Sequence, residues 1–271
     1  MSFTLRSVDQ GFADAMRWHL EPFGRERAEQ QAVPVDLFVQ EEDSEGDPAP
    51  YSFFFAQSYP LKHVSLINHL GHALWAVNRA LGERVRDFLM LHAGVVASDG
   101  GVILLPAAMD SGKSSLVVAL MEAGCQYLSD EFGAIDPVGS NCYPVRKSVH
   151  IGWEALRLFP GLEDRLRDRE GLNGELAQRF IRPQDVGTTI AGPGPVRALV
   201  FPSAEFDGPP RLSEVSSAEA VELMATSSFN LFRYGERGVI LLSRIAKQAP
   251  AFRLSGGTPR ERAACILERI G

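Results

Sequence analysis

The sequence predicts an α/β protein, because short β-rich runs alternate with segments of helical spacing along its 271 residues. Three observations support this class. Leu89–Ala97 and Val102–Pro106 flank the turn signal Ser98-Asp99-Gly100-Gly101, which is typical of a β-hairpin. The second strand leads through a loop ending in Gly-Lys-Ser-Ser into an apolar helix, and two later helices begin with capping patterns. Since an antiparallel hairpin precedes the loop, the expected sheet is mixed.

Composition excludes several classes of protein. The chain is 45% hydrophobic and 23% charged, which excludes wholesale disorder and a fibrous chain. A net charge of −7 predicts no nucleic-acid partner, because no broad basic face is expected. No window approaches the roughly 18 apolar residues that span a bilayer, so no membrane partner is expected. Three cysteines without a CxxC pair and an N-terminus without a signal pattern predict a cytoplasmic protein.

The first 60 residues are predicted to form a small α/β region, and residues 61–271 a second, larger domain. In the first region Phe12–Leu20 has helical spacing, whereas Val33–Val39 and Tyr51–Phe55 have strand character. The second domain is expected to open with a long helix over Leu61–Leu81 that ends at Gly82.

Further elements follow the hairpin. Gly124 is placed to cap the helix that begins with Gly-Lys-Ser-Ser. Cys125–Leu128 is predicted to be a strand that ends on Ser129-Asp130-Glu131. Gly133–Val138 and Cys142–Ile151 are predicted to form another hairpin.

The last third of the chain is predicted to be strand and helix. Gly161–Arg179 is highly charged and is interpreted as a helix, a mobile loop or both. Val196–Phe201 is a predicted strand. Ser216 and Thr258 each have a glutamate three residues later, the spacing of a capping box, and so predict two helix starts.

The segment Leu104–Ser115 has the pattern of a phosphate-binding loop. A strand, a tight loop and a helix that starts with GK[ST] point backbone N–H groups and the helix N-terminus at an anion. Lys113 would neutralise β- and γ-phosphates, and the Ser114 hydroxyl would bind Mg²⁺. The alternative is an ordinary strand–turn–helix. The residues expected around the phosphates are Ala108, Met109, Asp110, Ser111, Gly112, Lys113, Ser114 and Ser115.

Two positions depart from the usual pattern of such a loop. Ala107 stands where a glycine is expected, five residues before Gly112. Asp110 places a carboxylate inside the loop, where it would repel phosphate, although aspartate tolerates left-handed backbone better than most residues.

Asp130 and Glu131 form an acidic pair 17 and 18 positions after Lys113. One carboxylate at this place can bind Mg²⁺, and the other can accept a proton from a hydroxyl nucleophile. The alternative is a polar strand end without a catalytic role.

The chain resembles the catalytic domain of the HPr kinase/phosphorylase family, and more closely the HPr-kinase-related serine kinases of bacterial biosynthetic clusters. The resemblance covers residues 88–152 and is looser to about residue 235. The first 60 residues do not match that family's N-terminal domain, so HPr itself is not the expected substrate. The segments that carry the resemblance are Leu91–Val96, Leu104–Ser115, Gly124, Leu128–Glu131, Pro144–Ile151, Val200–Pro202 and Asn230.

This resemblance implies a P-loop core like that of phosphoenolpyruvate carboxykinase and ATP-dependent phosphorylation of a serine hydroxyl. It implies that Asp130 is the catalytic base and that Glu131 supports Mg²⁺. His92 would lie beside the acidic pair, hydrogen-bond to it and adjust its acidity. Without the resemblance, His92 on a strand is interpreted as a core histidine. Because HPr kinases are hexamers, a homo-oligomer is a further expectation.

Arg146 and Lys147 lie on a predicted strand beyond the acidic pair, from which they could approach phosphate or substrate. A solvated strand face is the alternative.

The resulting hypothesis is a kinase that uses Mg²⁺ and ATP to phosphorylate a hydroxyl of a peptide, carrier protein or small molecule. A nucleotide-binding regulatory or scaffold protein with a degraded site is the second hypothesis, and the reverse, phosphorylase direction stays open.

Overall fold

A computed structural model describes residues 3–4, 10–20, 33–34, 37–41, 51–55, 61–63, 74, 77–78, 81–82, 85–167 and 180–270. The chain forms two compact units. One contains the described residues up to Val85, and the other contains those in 86–167 and 180–270. The division expected at residue 60 stays a prediction.

The first unit contains helix α1 (Gln10–Leu20), five short strands and the helical residues 74, 77–78 and 81–82 in its described part. Helix α1 confirms the predicted helix and buries Phe12, Ala15 and Met16 on one side. The strands are β1 (Phe3–Thr4), β2 (Val33–Pro34), β3 (Leu37–Glu41), β4 (Tyr51–Phe55) and β5 (Leu61–His63).

The helix predicted over Leu61–Leu81 is wrong at its start. Leu61–His63 is a strand, antiparallel to β4 with Leu61 opposite Phe53, while β4 also pairs with β3. The described residues 74, 77–78 and 81–82 are helical, so helical structure includes Gly82. Pairing with the edge of β4 supplies backbone hydrogen bonds that override the local helical pattern.

The second unit is built on a mixed eight-stranded sheet, which confirms the predicted α/β class with a hairpin before the Gly-Lys-Ser-Ser segment. Strands β11 (Val149–His150) and β12 (Phe180–Ile181) pair separately. The sheet strands are β6 (Leu89–Ser98), β7 (Gly101–Pro106), β8 (Gln126–Ser129), β9 (Phe132–Ile135), β10 (Asn141–Tyr143), β13 (Gly194–Pro202), β14 (Arg211–Glu214) and β15 (Ala251–Ser255).

Strand direction brings four strand ends to one edge of this sheet. Strands β7, β13 and β15 are mutually parallel neighbours. Both β7 and β8 run antiparallel to β6, so they point the same way. The carboxyl ends of all four strands therefore lie along one edge, which is where ligands bind in open α/β sheets.

Helices cover both faces of the sheet. Alternation along β7 sends Ile103 and Leu105 to one face and Val102 and Leu104 to the other. The helices are α2 (Lys113–Glu122), α3 (Trp153–Leu156), α4 (Leu162–Arg167), α5 (Ser217–Thr226), α6 (Leu231–Tyr234), α7 (Glu236–Gln248) and α8 (Pro259–Ile270), with a 3₁₀ turn at Pro183–Val186.

Two hydrophobic cores result, one on each face. The α2/α8 core packs Leu116 and Leu120 with Ile266 beneath the sheet. The α5/α7 core packs Met224 and Leu242 against the opposite face. The sheet is thus the middle layer of a three-layer arrangement.

The predicted helix ends are confirmed. Ser216 Oγ accepts a hydrogen bond from the Glu219 amide at 3.2 Å, and the Thr258 amide donates to the Glu261 carboxylate at 2.8 Å. Gly124 follows α2 with φ of 99°, a left-handed conformation that glycine adopts without a steric penalty.

The strand predicted over Cys142–Ile151 is wrong in its middle. It breaks into β10 and β11, and residues 144–148 between them have no regular structure. Within the predicted segment Gly161–Arg179, residues Leu162–Arg167 are helical, and 168–179 lie outside the described residues. No helix in the described part of the chain is long and apolar enough to cross a membrane.

Candidate functional site

The Gly-Lys-Ser-Ser segment lies at the carboxyl edge of the sheet. We call residues 107–115, between the end of β7 and the first turn of α2, the GKSS loop. Its backbone turns through two left-handed residues, Asp110 with φ of 61° and Gly112 with φ of 80°. Met109 and Asp110 are exposed, whereas Ser111 and Ser115 are buried and Ser114 is half-buried. The α2 N-terminus therefore opens onto this edge.

Lys113 is the buried cation of the loop. Its side chain is almost fully enclosed, and Nζ donates a hydrogen bond to the Ala108 carbonyl at 2.7 Å. Burial lowers the pKa of Lys113 below its usual value, because the charged ammonium loses solvation. The negative charges of Glu131, Asp130 and Asp110 act in the opposite direction and favour the ammonium form. The loop lysine and the acidic pair thus share one site.

Asp130 is anchored through one oxygen. The residue is 2% exposed, and its Oδ1 accepts hydrogen bonds from Lys147 Nζ at 2.5 Å and from the Tyr127 hydroxyl at 3.1 Å. No partner within the described ranges bonds to Oδ2. The carboxylate is therefore fixed in orientation while one oxygen retains its acceptor capacity.

Glu131 is the more accessible member of the pair. Its side chain is 30% exposed, and Oε1 lies 3.4 Å from His92 Nε2. Burial acts to raise the pKa of Glu131, but the hydrogen bond from His92 and the charges of Lys147 and Lys113 outweigh it. The net result is a pKa below the usual value, so Glu131 is ionised at neutral pH.

A tight turn holds the acidic pair at the end of β8. Ser129 Oγ accepts hydrogen bonds from the backbone amides of Glu131 at 3.2 Å and Phe132 at 2.9 Å. The Glu131 carbonyl in turn accepts from the Ala93 amide on β6 at 3.1 Å. These bonds fix both carboxylates relative to the sheet.

His92 connects the acidic pair to the GKSS loop. Its carbonyl accepts a hydrogen bond from the Ala107 amide at 3.2 Å, and its ring meets the edge of Phe229 with centroids 5.6 Å apart. The histidine is thus placed between the first residue of the loop and Glu131.

The predicted cations Arg146 and Lys147 lie in different surroundings. Lys147 is buried against Asp130, whereas Arg146 is exposed. Both lie in the irregular 144–148 segment rather than on a strand. Lys147 is therefore the partner of an acidic side chain rather than a surface cation.

A cleft of about 420 Å³ adjoins the loop on the His92 side. Its lining includes Ala107 and Ala108 of the loop, and Ser227 and Ser228 directly after α5. The other lining residues are His92, Pro106, Phe201, Pro202, Leu223, Thr226, Phe229 and Arg253.

Sequence reasoning missed Tyr127 and Phe206. Tyr127 lies three residues before Asp130 and bonds to it, but a tyrosine in an apolar strand carries no sequence signal for that role. Phe206 contacts the loop from a segment far along the chain, which only the sheet topology brings near.

No protein-family model matches this chain, and comparison with curated proteins found no match. Among the residues that the structure describes, no group of three or more His, Cys, Asp or Glu side chains is arranged to hold a metal ion.

Proposed function

We propose that this protein is a kinase that uses Mg²⁺ and ATP to phosphorylate a serine-type hydroxyl, with a P-loop core like that of phosphoenolpyruvate carboxykinase. One observation supports this most strongly. The carboxyl ends of β7 and β8 lie along one edge of the sheet, so the buried loop lysine, Lys113, and the carboxylates of Asp130 and Glu131 come to the same edge. A cation for phosphates next to a fixed carboxylate pair is what phosphoryl transfer to a hydroxyl needs.

Each residue has a distinct task in this proposal. Lys113 and the amides of the GKSS loop hold the phosphates at the N-terminus of α2. Asp130 accepts the proton of the acceptor hydroxyl through Oδ2, because Oδ1 is occupied by Lys147 and Tyr127. His92 keeps Glu131 ionised and oriented.

Ser114 and Glu131 are the residues that would hold Mg²⁺. They suit the ion in kind, since a hydroxyl and an ionised carboxylate supply the hard oxygen ligands that Mg²⁺ prefers. Bound Mg²⁺ would neutralise charge on the transferred phosphoryl group. Two protein ligands suffice, because Mg²⁺ commonly takes its remaining ligands from phosphates and water.

The proposal is tested with Asp130→Asn. We expect ATP binding to survive and phosphoryl transfer to be abolished, because an amide accepts no proton. Transfer is measured with γ-labelled ATP and ATP binding by titration calorimetry with Mg²⁺. Adding Lys147→Met to Asp130→Asn removes the lysine whose charge the first substitution leaves unpaired. If the double variant is folded and still inactive, lost stability is excluded as the cause, whereas full turnover in Asp130→Asn contradicts the base assignment.

A nucleotide-binding regulatory or scaffold protein with a degraded kinase site is the second candidate function. Asp110 favours it over the kinase, because an exposed carboxylate inside the loop disturbs the phosphate position that transfer requires. Tight ATP binding without transfer to water or to any serine-containing acceptor supports this second function and contradicts the first.

A further inference from the structure

Phe206 lies directly against the GKSS loop. Strand β13 is parallel to β7, so the segment after its last residue, Pro202, leaves the same edge of the sheet as the loop. A Cβ atom added to Gly112 would lie 3.1 Å from the Phe206 ring. The ring edge therefore packs on the backbone just before Lys113.

Phe206 is exposed yet held in place. It is 47% exposed, and the guanidinium of Arg262 lies over its ring, 4.4 Å from the centroid. Arg262 itself is 2% exposed and donates to three backbone carbonyls: Gly256 at 2.6 Å, Ser203 at 3.1 Å, and Glu205. A buried arginine thus fixes the segment that carries the ring.

The same segment is tied to the turn after β15. The Gly256 amide donates to the Glu205 carbonyl and the Gly257 amide to the Gly208 carbonyl, both at 2.8 Å. Gly256 has φ of 70°, and a Cβ there would lie 2.2 Å from the Pro209 carbonyl oxygen. Only glycine permits this approach, and the two amide–carbonyl bonds hold residues 205–209 in addition to the bonds from Arg262.

We propose that Phe206 is the platform on which the nucleotide base stacks while the phosphates occupy the GKSS loop. This rests on the proposed function. Arg262 covers one face of the ring and Gly112 lies at its edge, so the exposed area lies on the remaining side. A fixed aromatic face beside a phosphate site suits a base, because every base presents a π-face. A purine, with the larger ring system, is the expected class.

The test compares two ligands on the full chain. Titration calorimetry with Mg²⁺ gives the Kd of ATP and of inorganic tripolyphosphate for the wild type, Phe206→Ala and Phe206→Trp. We expect Phe206→Ala to weaken ATP about tenfold or more and to leave tripolyphosphate within about twofold. Phe206→Trp should retain ATP affinity, since indole also stacks. The matched control is Phe232→Ala, which removes another exposed phenylalanine and should change neither Kd.

Three outcomes overturn this proposal and leave the proposed function standing. Unchanged ATP affinity in Phe206→Ala means that no base stacks on the ring. Equal weakening of both ligands means that the ring supports only the loop backbone. Equal affinity of the wild type for ATP and tripolyphosphate means that the base contributes nothing. If the wild type binds neither ligand, the proposed function fails as well, and this result is distinct from the other three.

Discussion

Asp110 is the residue that departs most from a phosphate-binding loop, because its carboxylate is exposed beside Lys113. Asp110→Asn removes the charge and keeps a side chain that tolerates positive φ. We expect tripolyphosphate to bind a few-fold more tightly at low salt, with the gain shrinking at high salt because exposed charges are screened. Calorimetry at two salt concentrations measures this.

The control for Asp110→Asn is Asp99→Asn. Asp99 is exposed in the turn at the other end of β7, so the variant makes the same change in net charge away from the loop. An equal gain in both variants would show that overall charge, not the position of Asp110, opposes phosphate.

Lys147 and Asp130 form a buried ion pair at 2.5 Å, with side chains 5% and 3% exposed. Removing one partner leaves the other charge unpaired in the interior, which lowers the free energy of unfolding by about 3–5 kcal/mol. We therefore expect Lys147→Met to lower the free energy of unfolding by an amount of that order. The double variant with Asp130→Asn should recover much of the loss. Urea denaturation measures both, and strictly additive losses would show that the pair is not coupled.

The ionisation of Glu131 is expected to make the free energy of unfolding depend on pH. The pKa of Glu131 in the folded protein is below the usual 4.5, because His92 and two lysines outweigh burial. The stabilisation it supplies is therefore complete above about pH 4.5 and is lost as the pH falls through the lower, folded pKa. The gap in unfolding free energy between the wild type and Glu131→Gln should be widest at neutral pH and narrow on acidification.

Urea denaturation at a series of pH values tests this dependence. Glu268→Gln, at an exposed position, is the matched control and should lie near the wild type throughout. A gap for Glu131→Gln that stays constant or widens as the pH falls would contradict the sign derived above.

Sequence reasoning located the residues of this site better than their surroundings. The placement of His92 beside Glu131 was expected only from the family resemblance, and the structure places His92 Nε2 3.4 Å from Glu131 Oε1. The burial of Lys147 could not be predicted, because it depends on an irregular segment folding back onto the end of β8. Short-range pattern identifies which side chains carry charge, whereas tertiary packing decides which of those charges pair.

At the scale of elements, Gly94 sets how closely α2 approaches β6. A Cβ at Gly94 would lie 2.7 Å from Val117 Cγ2 and 3.3 Å from Leu105 Cδ1, so alanine has no room. We expect Gly94→Ala to cost about 1–3 kcal/mol of unfolding free energy through overpacking. Val117→Ala removes the clashing methyl, and the double variant should lose less than the sum of the two single losses.

Gly192→Ala is the matched control for Gly94→Ala. A Cβ there meets no atom within 4 Å, and its φ is not in the left-handed region. Urea denaturation measures the loss of unfolding free energy in Gly94→Ala, Val117→Ala, their double variant and Gly192→Ala. Equal losses at Gly94 and Gly192 would mean that glycine flexibility, not helix packing, explains the effect.

The elements that sequence reasoning placed incorrectly share a cause. Leu61–His63 joins an existing strand edge, and residues 144–148 leave the sheet between β10 and β11. Both outcomes depend on contacts with a separate segment, β4 for Leu61–His63 and the end of β8 for residues 144–148, whereas the caps at Ser216 and Thr258 are bonds within one turn and were predicted correctly. Bonds within one turn are readable from the local sequence, whereas these contacts between separate segments were not.

At the scale of the whole second unit, one sheet joins two hydrophobic cores. Leu120 is fully buried in the α2/α8 core, and Leu242 is fully buried in the α5/α7 core on the opposite face. Strands β6, β7, β8, β13 and β15 contribute side chains to both cores by alternation, so loss of one core exposes strands that also build the other. The two faces are expected to unfold together, and the site edge with them.

This cooperativity is tested with Leu120→Ala and Leu242→Ala. Each deletion should lower the free energy of unfolding by about 2–5 kcal/mol through lost burial and a residual cavity. Because the cores lie on opposite faces, the losses should add in the double variant. Hydrogen exchange should quicken in α2 and α7 alike in either single variant, since both helices are released in the same unfolding event. Exchange that quickens only in the helix of the mutated core would show that the two faces open independently, and that the GKSS loop can lose order while the α5/α7 face stays folded.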